Sequence, residues 1–571
     1  MKDRVVTDIG TTELETGWAT RNWKLIQKRV RNLRRRIFRA TQEKKWNRVR
    51  SLMKLMLRSQ ANLLLAIKRV TQINQGRKTP GIDGRIALTN EEREKLYLQV
   101  RNNTPWKVKP AKRIYIPKSN GKLRPLGIPA IRDRAMQAVV KNALEPSWEA
   151  LFEARSYGFR PGRNTHDAIS HSHARLNKGG CDLWVLEADI KGAFDNISHE
   201  FILTTMGLVP GRELIKQWLK AGYMEAEIFH ETESGTPQGG IVSPLLANIA
   251  LDGLDELLSQ FIKLKEYQSS PKAKRQRVTK QQLPNYGFCR YADDFIVTAE
   301  TKEDIETILP IIREWLKMRG LQLNEEKTKI TRVSDGFNFL GFHIRQFKGS
   351  CITKPQKEKV LRFLLRIRDW LKDHKDIPQG EVINHLNPIL KGWGNYYRHG
   401  ASKETFSYVD SQIWKMLWIW ACRRHPNKGK RWIANKYFQI SQEGWKLKAT
   451  TTNRRGERQT ITLSKVYQIP IVRHIQVKGT NSPDNADLTS YWEQRRTQHG
   501  KILLAEGSRL HKIAKNQKWR CPESGDHLYN GEEIQQHHIK HVCDGGLDYE
   551  DNLELIHQSC HMNRHAKRGR A

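Results

Sequence analysis

Two adjacent acids inside an apolar stretch are the residues best suited to do chemistry in this chain. Asp293 and Asp294 lie in Phe288-Cys289-Arg290-Tyr291-Ala292-Asp293-Asp294-Phe295-Ile296-Val297. Apolar flanks around a polar centre predict strand, tight turn and strand, with the acids at the turn. Adjacent like charges repel, so burying them together is costly unless cations compensate. Divalent metal is the natural compensation, since two ions about 3.5–4 Å apart can clamp the attacking and leaving oxygens of a phosphoryl transfer. One hairpin cannot surround two ions, so a further carboxylate must come from another element. Residues 184–189 read Trp-Val-Leu-Glu-Ala-Asp, an apolar strand ending at Asp189, followed by Ile190-Lys191-Gly192-Ala193-Phe194-Asp195. Asp189 is the expected partner. Asp195 has the weaker claim and suits a helix start.

Around these acids the chain resembles a reverse transcriptase. Arg124-Pro125-Leu126-Gly127-Ile128-Pro129 and Ser156-Tyr157-Gly158-Phe159-Arg160-Pro161-Gly162-Arg163 look like its fingers motifs. Gly235-Thr236-Pro237-Gln238-Gly239-Gly240-Ile241-Val242-Ser243-Pro244 matches the motif under the incoming nucleotide. Gly320-Leu321-Gln322-Leu323-Asn324 with Lys327-Thr328, then Phe339-Leu340-Gly341-Phe342, complete the family order. The wording is that of group II intron-encoded proteins. The resemblance implies two Mg²⁺ ions on Asp189, Asp293 and Asp294, with deoxynucleotide triphosphates as substrates. It places Gln238 against the incoming nucleotide and Lys118 and Arg124 near its triphosphate. Phe194 falls where the family has an aromatic gate whose ring collides with a ribose 2′-OH.

The C-terminal tail carries a second set of groups. His537-His538, Gly545-Gly546, Asn552 and His557-Gln558-Ser559-Cys560-His561 with His565 resemble the HNH endonuclease motif. The resemblance implies a ββα unit in which His537, His561 and His565 bind one divalent metal. His538 is then the general base and Asn552 orients it. His561 and His565 are four apart, so a helix turns them to one face. Many such domains also hold a structural zinc, for which Cys521, His557 and Cys560 are the matching residues. Ser524 stands where a further cysteine is expected and serine is a poor zinc ligand, which counts against the zinc unless Cys543 substitutes.

Stepping outward, the composition suits a nucleic-acid enzyme. Lys and Arg total 100 against 60 Asp and Glu, a formal charge of +40 on 571 residues. Such charge repels itself unless a polyanion shares it, and phosphate contacts make binding salt-dependent. A membrane-surface role is the rival for a basic chain, but no apolar run of about 18 residues and no signal peptide support it. The 7 cysteines are scattered and odd in number, against a disulfide framework and for a reducing compartment.

The expected architecture is multidomain α+β. Residues 1–54 form a basic helical arm, with Trp23, Ile26, Val30, Leu33 and Ile37 on one face and Arg34, Arg35 and Arg36 gripping RNA. Residues 55–350 form right-hand-like fingers and palm, with a template-covering loop near residues 76–83 and a basic surface insertion over residues 264–285. Residues 355–450 form an α-helical thumb resembling the maturase (X) domain, around His385-Leu386-Asn387-Pro388 and Gly392-Trp393-Gly394-Asn395-Tyr396-Tyr397. There Trp414, Trp418, Trp420, Trp432 and Trp445 are expected in the core, and Arg423, Lys428, Lys430 and Arg431 on RNA. Residues 451–510 are assigned to DNA binding by order alone, with 480–487 as a linker, and residues 511–571 to the ββα-metal HNH unit.

The function implied is an intron-encoded reverse transcriptase, maturase and endonuclease. Its partners would be intron RNA and target double-stranded DNA, with no membrane and no obligate protein partner, in a cytoplasmic, nucleoid-associated ribonucleoprotein. A maturase-only splicing factor and a non-intron reverse transcriptase (a retron or diversity-generating enzyme) are the alternatives. The intact acids oppose the first, and the thumb followed by a nuclease opposes the second.

Overall fold

The computed structural model describes residues 17–102, 106–117, 121, 123–177, 182–268, 278–441, 444–452, 458–504 and 506–568. The N-terminal periodicity becomes the helix Trp23–Gln42, opened by the Asn22 side chain accepting from the Leu25 amide. Trp23, Ile26, Val30 and Ile37 are buried. The next helix, Trp46–Arg58, buries Val49, Met53 and Met56 and leaves Trp46 exposed. Both helices pack on Ile131–Glu149. Their apolar faces share one core with Leu186, Phe295 and Val297 of the central sheet. A boundary at residue 54 would cut a continuous helix, so the arm is part of the polymerase core.

The basic face of the arm is also less free than its composition suggests. Arg34 is half-buried, donating to both carboxylate oxygens of the buried Asp484 and to Glu145. Arg35 donates to Thr489. Of the three arginines expected on RNA, Arg36 is the one left exposed.

The central sheet has the strand order Lys329–Arg332, Trp184–Asp189, Asp294–Ala299, Gly287–Tyr291, antiparallel throughout. Val185, Leu186, Val297 and Ala299 are fully buried. Helices including Lys302–Lys317 cover the sheet, the latter opened by a Thr301–Asp304 capping box. A second sheet, in the order Leu123–Ile128, Ala111–Pro117, Tyr223–Glu225, Ile228–His230, forms the fingers. The loop after residue 75 is tied down by Arg134, which donates to the Gly76 and Thr79 carbonyls. The insertion is a hairpin of Ile262–Gln268 and Val278–Pro284. Its basic tip, 269–277, lies outside the described residues.

Beyond residue 355 the helices Lys357–Asp373, Gln379–Tyr397, Lys403–Arg424 and Lys430–Tyr437 enclose a second core with Phe406, Val409, Ile413 and Leu417. A three-stranded sheet, Phe438–Ser441, Gly444–Thr452 and Arg458–Thr462, closes this unit. The thumb is thus not purely helical and does not stop at residue 450. Trp420 belongs to its core, as expected. Trp414, Trp432 and Trp445 instead sit 37%, 41% and 40% exposed, which moves them from core to surface.

The chain then runs back across the palm. Arg163 donates to the Gly479 carbonyl, Gln476 to the Tyr157 hydroxyl, and the Val477 amide to Asp167. Ser482 and Asp484 are buried. The stretch 480–487 is therefore a pinned strap rather than a loose linker. The helix Thr489–Leu503 follows, and residues from Ile513 to Cys560 form a small third core.

Candidate polymerase and nuclease sites

The strand Trp184–Asp189 pairs with Asp294–Ala299 so that Asp189 faces Asp294 as a cross-strand partner. Tyr291 pairs with Asp294 across the neighbouring hairpin, which leaves Ala292 and Asp293 as its two-residue turn. Ala292 takes φ 60, the left-handed conformation such a turn requires. The three acids expected to act together are therefore brought together by pairing alone.

The turn is pressed from behind. A Cβ on Gly158 would meet the Ala292 nitrogen at 2.3 Å, so only glycine fits there. Asn248 donates to the Gly158 carbonyl and accepts from Arg290, which also donates to the Ala292 carbonyl. Arg290 is fully buried next to Glu153 and Asp252, and its charge lies close enough to act on Asp293. Sequence reasoning passed over Arg290, because a buried arginine inside an apolar strand has no local signature.

Electrostatics mark the cluster as short of positive charge. Burial, then Asp293, then Asp189 push the Asp294 carboxyl up to about 7. Burial and Asp189 also raise Asp293. Asp189 accepts from Lys327 at 2.7 Å and from Asn324 at 3.1 Å. Those two residues lie in a recognised motif, but their bonds to Asp189 depend on tertiary pairing. Carboxylates that resist ionisation together fit a site for divalent cations.

On the nucleotide side, Gln238 accepts from Arg124 at 2.9 Å and donates to Asp195 at 3.2 Å. The Gly127 amide donates to the Gln238 carbonyl, which ties the fingers strand to this loop. Asp195 sits in the first turn of the short helix Ala193–Asn196, close to its expected place. Phe194 is almost buried, edge-on to Phe159 with centroids 6.0 Å apart. Phe159 is 50% exposed at φ 60, a strained and wet position for an aromatic ring that sequence reasoning did not single out. Lys118 lies outside the described residues.

The tail forms a ββα unit: Ile534–His538 paired antiparallel with Leu553–His557, then the helix Gln558–Arg568. One ligand atom each from His537, His561 and His565 lies within 4.8 Å of the others. The Nε2 atoms of His561 and His565 are 3.1 Å apart, the spacing of two ligands on one ion. Burial, Arg564 and the neighbouring imidazoles push His537 down to about 4, keeping it neutral and able to ligate. His541 also packs edge-on within this group, its ring centroid 5.1 Å from that of His537. It was missed because it lies beyond the motif's paired histidines.

The partner of His538 differs from expectation. Its Nε2 lies 3.2 Å from Asp548 Oδ1, and Asp548 is in turn held by Arg509. Asn552 does not reach the ring. Its side chain accepts from the Lys540 amide and donates to the Lys540 and Leu547 carbonyls, bracing the intervening loop.

Cys521, His557 and Cys560 are all buried, with ligand atoms within 4.8 Å of one another. The Ser524 hydroxyl lies 3.2 Å from His557 Nδ1, in the place a fourth ligand would take. Mutual hydrogen bonding pushes the Cys521 thiol down and the Cys560 thiol up. Cys543 is exposed and outside this cluster, so it does not replace the missing cysteine. The six described cysteines are free. Arg423, Lys428, Lys430 and Arg431 are exposed on the thumb. No helix among the described residues is long and apolar enough to cross a membrane.

Comparison with known proteins agrees with this layout. Residues 18–100 match the N-terminal domain of reverse transcriptase, and 116–344 match the reverse transcriptase (RNA-dependent DNA polymerase) family. Residues 360–438 match the group II intron maturase-specific domain, and 520–567 the HNH endonuclease family. Protein YkfC of Escherichia coli is 37% identical over 319 residues, covering 52% of this chain and 83% of that protein. The group II intron-encoded protein LtrA of Lactococcus lactis is 32% identical over 415 residues, covering 59% and 68%. A putative COX1/OXI3 intron 1 protein of Saccharomyces cerevisiae is 28% identical over 388 residues, covering 59% and 44%. Polymerase and nuclease domains of these kinds work with divalent metals, and the maturase domain implies binding of intron RNA. A maturase domain and a nuclease on one chain do not favour the retron alternative. The chain belongs to the group II intron-encoded proteins: it is an RNA-directed DNA polymerase that also carries a maturase domain and an HNH DNA endonuclease.

Proposed function

We propose that Asp189, Asp293 and Asp294 hold two Mg²⁺ ions and that this site copies intron RNA into DNA at a nick made by the tail of the same chain. The cross-strand pairing of Asp189 with Asp294 is the observation that carries this reading. When bound, the ions activate the primer 3′-OH and neutralise charge on the departing pyrophosphate. The chain supplies position and selection. Gln238, fixed between Arg124 and Asp195, contacts the incoming deoxynucleotide, and Lys118 and Arg124 serve to bind its triphosphate. The Phe194 ring occupies the space a ribose 2′-OH would need.

In the tail, His537, His561 and His565 hold one divalent ion, and His538 takes the proton from the attacking water. Asp548 rather than Asn552 orients that imidazole. Cys521, His557 and Cys560, with the Ser524 hydroxyl fourth, are a weaker zinc set than four thiolate or imidazole ligands. The exposed thumb cations contact intron RNA and promote its splicing-competent fold. The RNA inserts into one strand of target double-stranded DNA. The nuclease nicks the other, and the new 3′-OH primes synthesis. The setting is a cytoplasmic ribonucleoprotein associated with the nucleoid.

Reconstituted ribonucleoprotein with labelled target duplex and deoxynucleotides tests the sequence of events. New DNA joined covalently to the nicked strand is the expected product. Synthesis only on added primers, with the duplex intact, would overturn the proposal.

A further inference from the structure

A second histidine cluster shares no residue with either site. His166 sits in the first turn of Thr165–Leu176 on the palm. His399 stands just beyond the thumb helix Gln379–Tyr397, and His474 lies in the strap that returns across the palm. One ligand nitrogen from each lies within 4.8 Å of the others. The ring centroids are 4.5 Å apart for His166 and His399, 5.6 Å for His166 and His474, and 5.3 Å for His399 and His474.

Each ring is also anchored from outside. His166 Nε2 donates to the Tyr396 carbonyl at 2.7 Å, and His399 Nδ1 donates to the Val472 carbonyl at 2.7 Å. His474 Nε2 donates to Asp167 Oδ1 at 3.0 Å. An imidazole that donates through one nitrogen has a lone pair on the other. Metal-binding histidines show this arrangement, one nitrogen on a carbonyl or carboxylate and the other on the ion. Each ring thus keeps one nitrogen with a lone pair, and a cation held among the rings would take one lone pair from each. A neutral imidazole away from water needs such an acceptor in any case, so it is the convergence of three ring nitrogens within 4.8 Å that points to an ion.

Burial keeps His166 and His399 neutral. Burial, with His474 and His499 contributing, pushes His166 down to about 4. Burial and His166 push His399 down to about 3. Arg398 and Arg495 also face the cluster, and Arg495 pairs with Asp167 at 2.9 Å. Asp167 is fully buried and takes His474, Arg495 and the Val477 amide, so it offsets part of that positive charge.

We propose that His166, His399 and His474 bind one Zn²⁺-class ion that clips the thumb and the returning strap to the palm. Three imidazoles suit zinc, cobalt, nickel or copper rather than magnesium. Tetrahedral zinc with bonds of about 2.0–2.1 Å needs nitrogens about 3.3 Å apart, within reach of small ring adjustments. Three protein ligands leave the fourth position for water.

The test uses the full chain, with Zn²⁺ itself as probe. Anomalous scattering at the zinc edge from crystals grown with Zn²⁺ should place a peak between the three rings. Equilibrium dialysis should find one zinc equivalent fewer in His399→Gln and in His474→Gln than in the parent. That loss is separate from metal on Cys521, His557 and Cys560, or on His537, His561 and His565. Chelation should lower the parent's melting temperature more than that of either variant. Folded variants with the parent's zinc stoichiometry would overturn the proposal. If neither variant folds, the parent map decides, and no peak between the rings would overturn it.

Discussion

Asp189 and Asp294 face each other on adjacent antiparallel strands, and Asp293 occupies the turn beside them. The placement is set by backbone pairing, so it does not depend on loops folding around a ligand. Its electrostatic cost is visible in Asp294, whose carboxyl is pushed up to about 7 by burial and the two neighbouring acids.

That shift has a definite sign. The folded-state pKa of Asp294 lies above its unfolded value, so the folded state resists losing this proton. The contribution is neutral below the unfolded pKa near 3.8 and grows more destabilising as pH rises to about 7. In metal-free protein, Asp294→Asn should therefore raise stability on the order of 2 kcal/mol at pH 8 and change little at pH 4. Mg²⁺ should raise the melting temperature of the parent at pH 8 and that of the variant less. Differential scanning calorimetry at both pH values reads this. Equal melting temperatures at pH 8 without metal would remove the charge-repulsion account.

Gly158 gives a steric test of the hairpin. Gly158→Ala places a methyl group against the Ala292 backbone, so the turn must move. Primer extension should fall by roughly 100-fold, the scale expected when reacting groups are displaced by about 1 Å. Nuclease activity should be unchanged, since the tail folds around a core of its own. Wild-type extension rates would show that the turn has slack.

Arg34 separates architecture from RNA binding. Removing one partner of a buried, hydrogen-bonded pair typically costs about 3–5 kcal/mol. Arg34→Ala should lower the urea midpoint clearly, whereas Arg36→Ala should leave it in place. Arg36→Ala should instead reduce the salt slope of RNA binding by roughly one unit. An unshifted midpoint in Arg34→Ala would return Arg34 to the RNA-facing surface.

The contrast between these arginines shows what local sequence carries. The acid hairpin and the strand ending at Asp189 are short-range patterns that folded as their apolar flanks predict, and the ββα tail folded as its resemblance implies. The roles of Arg34, Asp548 and Arg290 depend on partners brought in by tertiary structure. Arg34 meets Asp484, which is 450 residues away. Asn552, which the resemblance implies orients His538, spends its side-chain amide on the Lys540 and Leu547 backbone, a contact set by the fold of the loop. The thumb sheet was missed because alternation over Gly444–Thr452 was overshadowed by the helical run before it.

The nuclease can be dissected on the same logic. His538→Ala should abolish cleavage of the primer strand while splicing and synthesis on a supplied primer continue. Asp548→Asn should slow cleavage by about 10–100-fold, the usual cost of losing a group that orients a site histidine. Strand-specific cleavage of target duplex distinguishes these. Full cutting by His538→Ala would mean that the base lies elsewhere.

Sugar selection offers a further check on the polymerase face. Phe194→Ala should raise ribonucleotide incorporation relative to deoxynucleotide by at least about tenfold, a change of roughly 1.4 kcal/mol in discrimination. Single-nucleotide incorporation with each substrate measures it. An unchanged ratio would make Phe194 an ordinary core residue packed edge-on against Phe159.

The most direct test of the central claim is primer extension on an RNA template by Asp293→Asn protein, beside RNA filter binding by the same preparation. The account predicts no measurable extension with RNA affinity intact, because Asp293 serves the metal site while affinity comes from the basic surface. Full extension by Asp293→Asn would contradict the assignment of DNA synthesis to these three carboxylates.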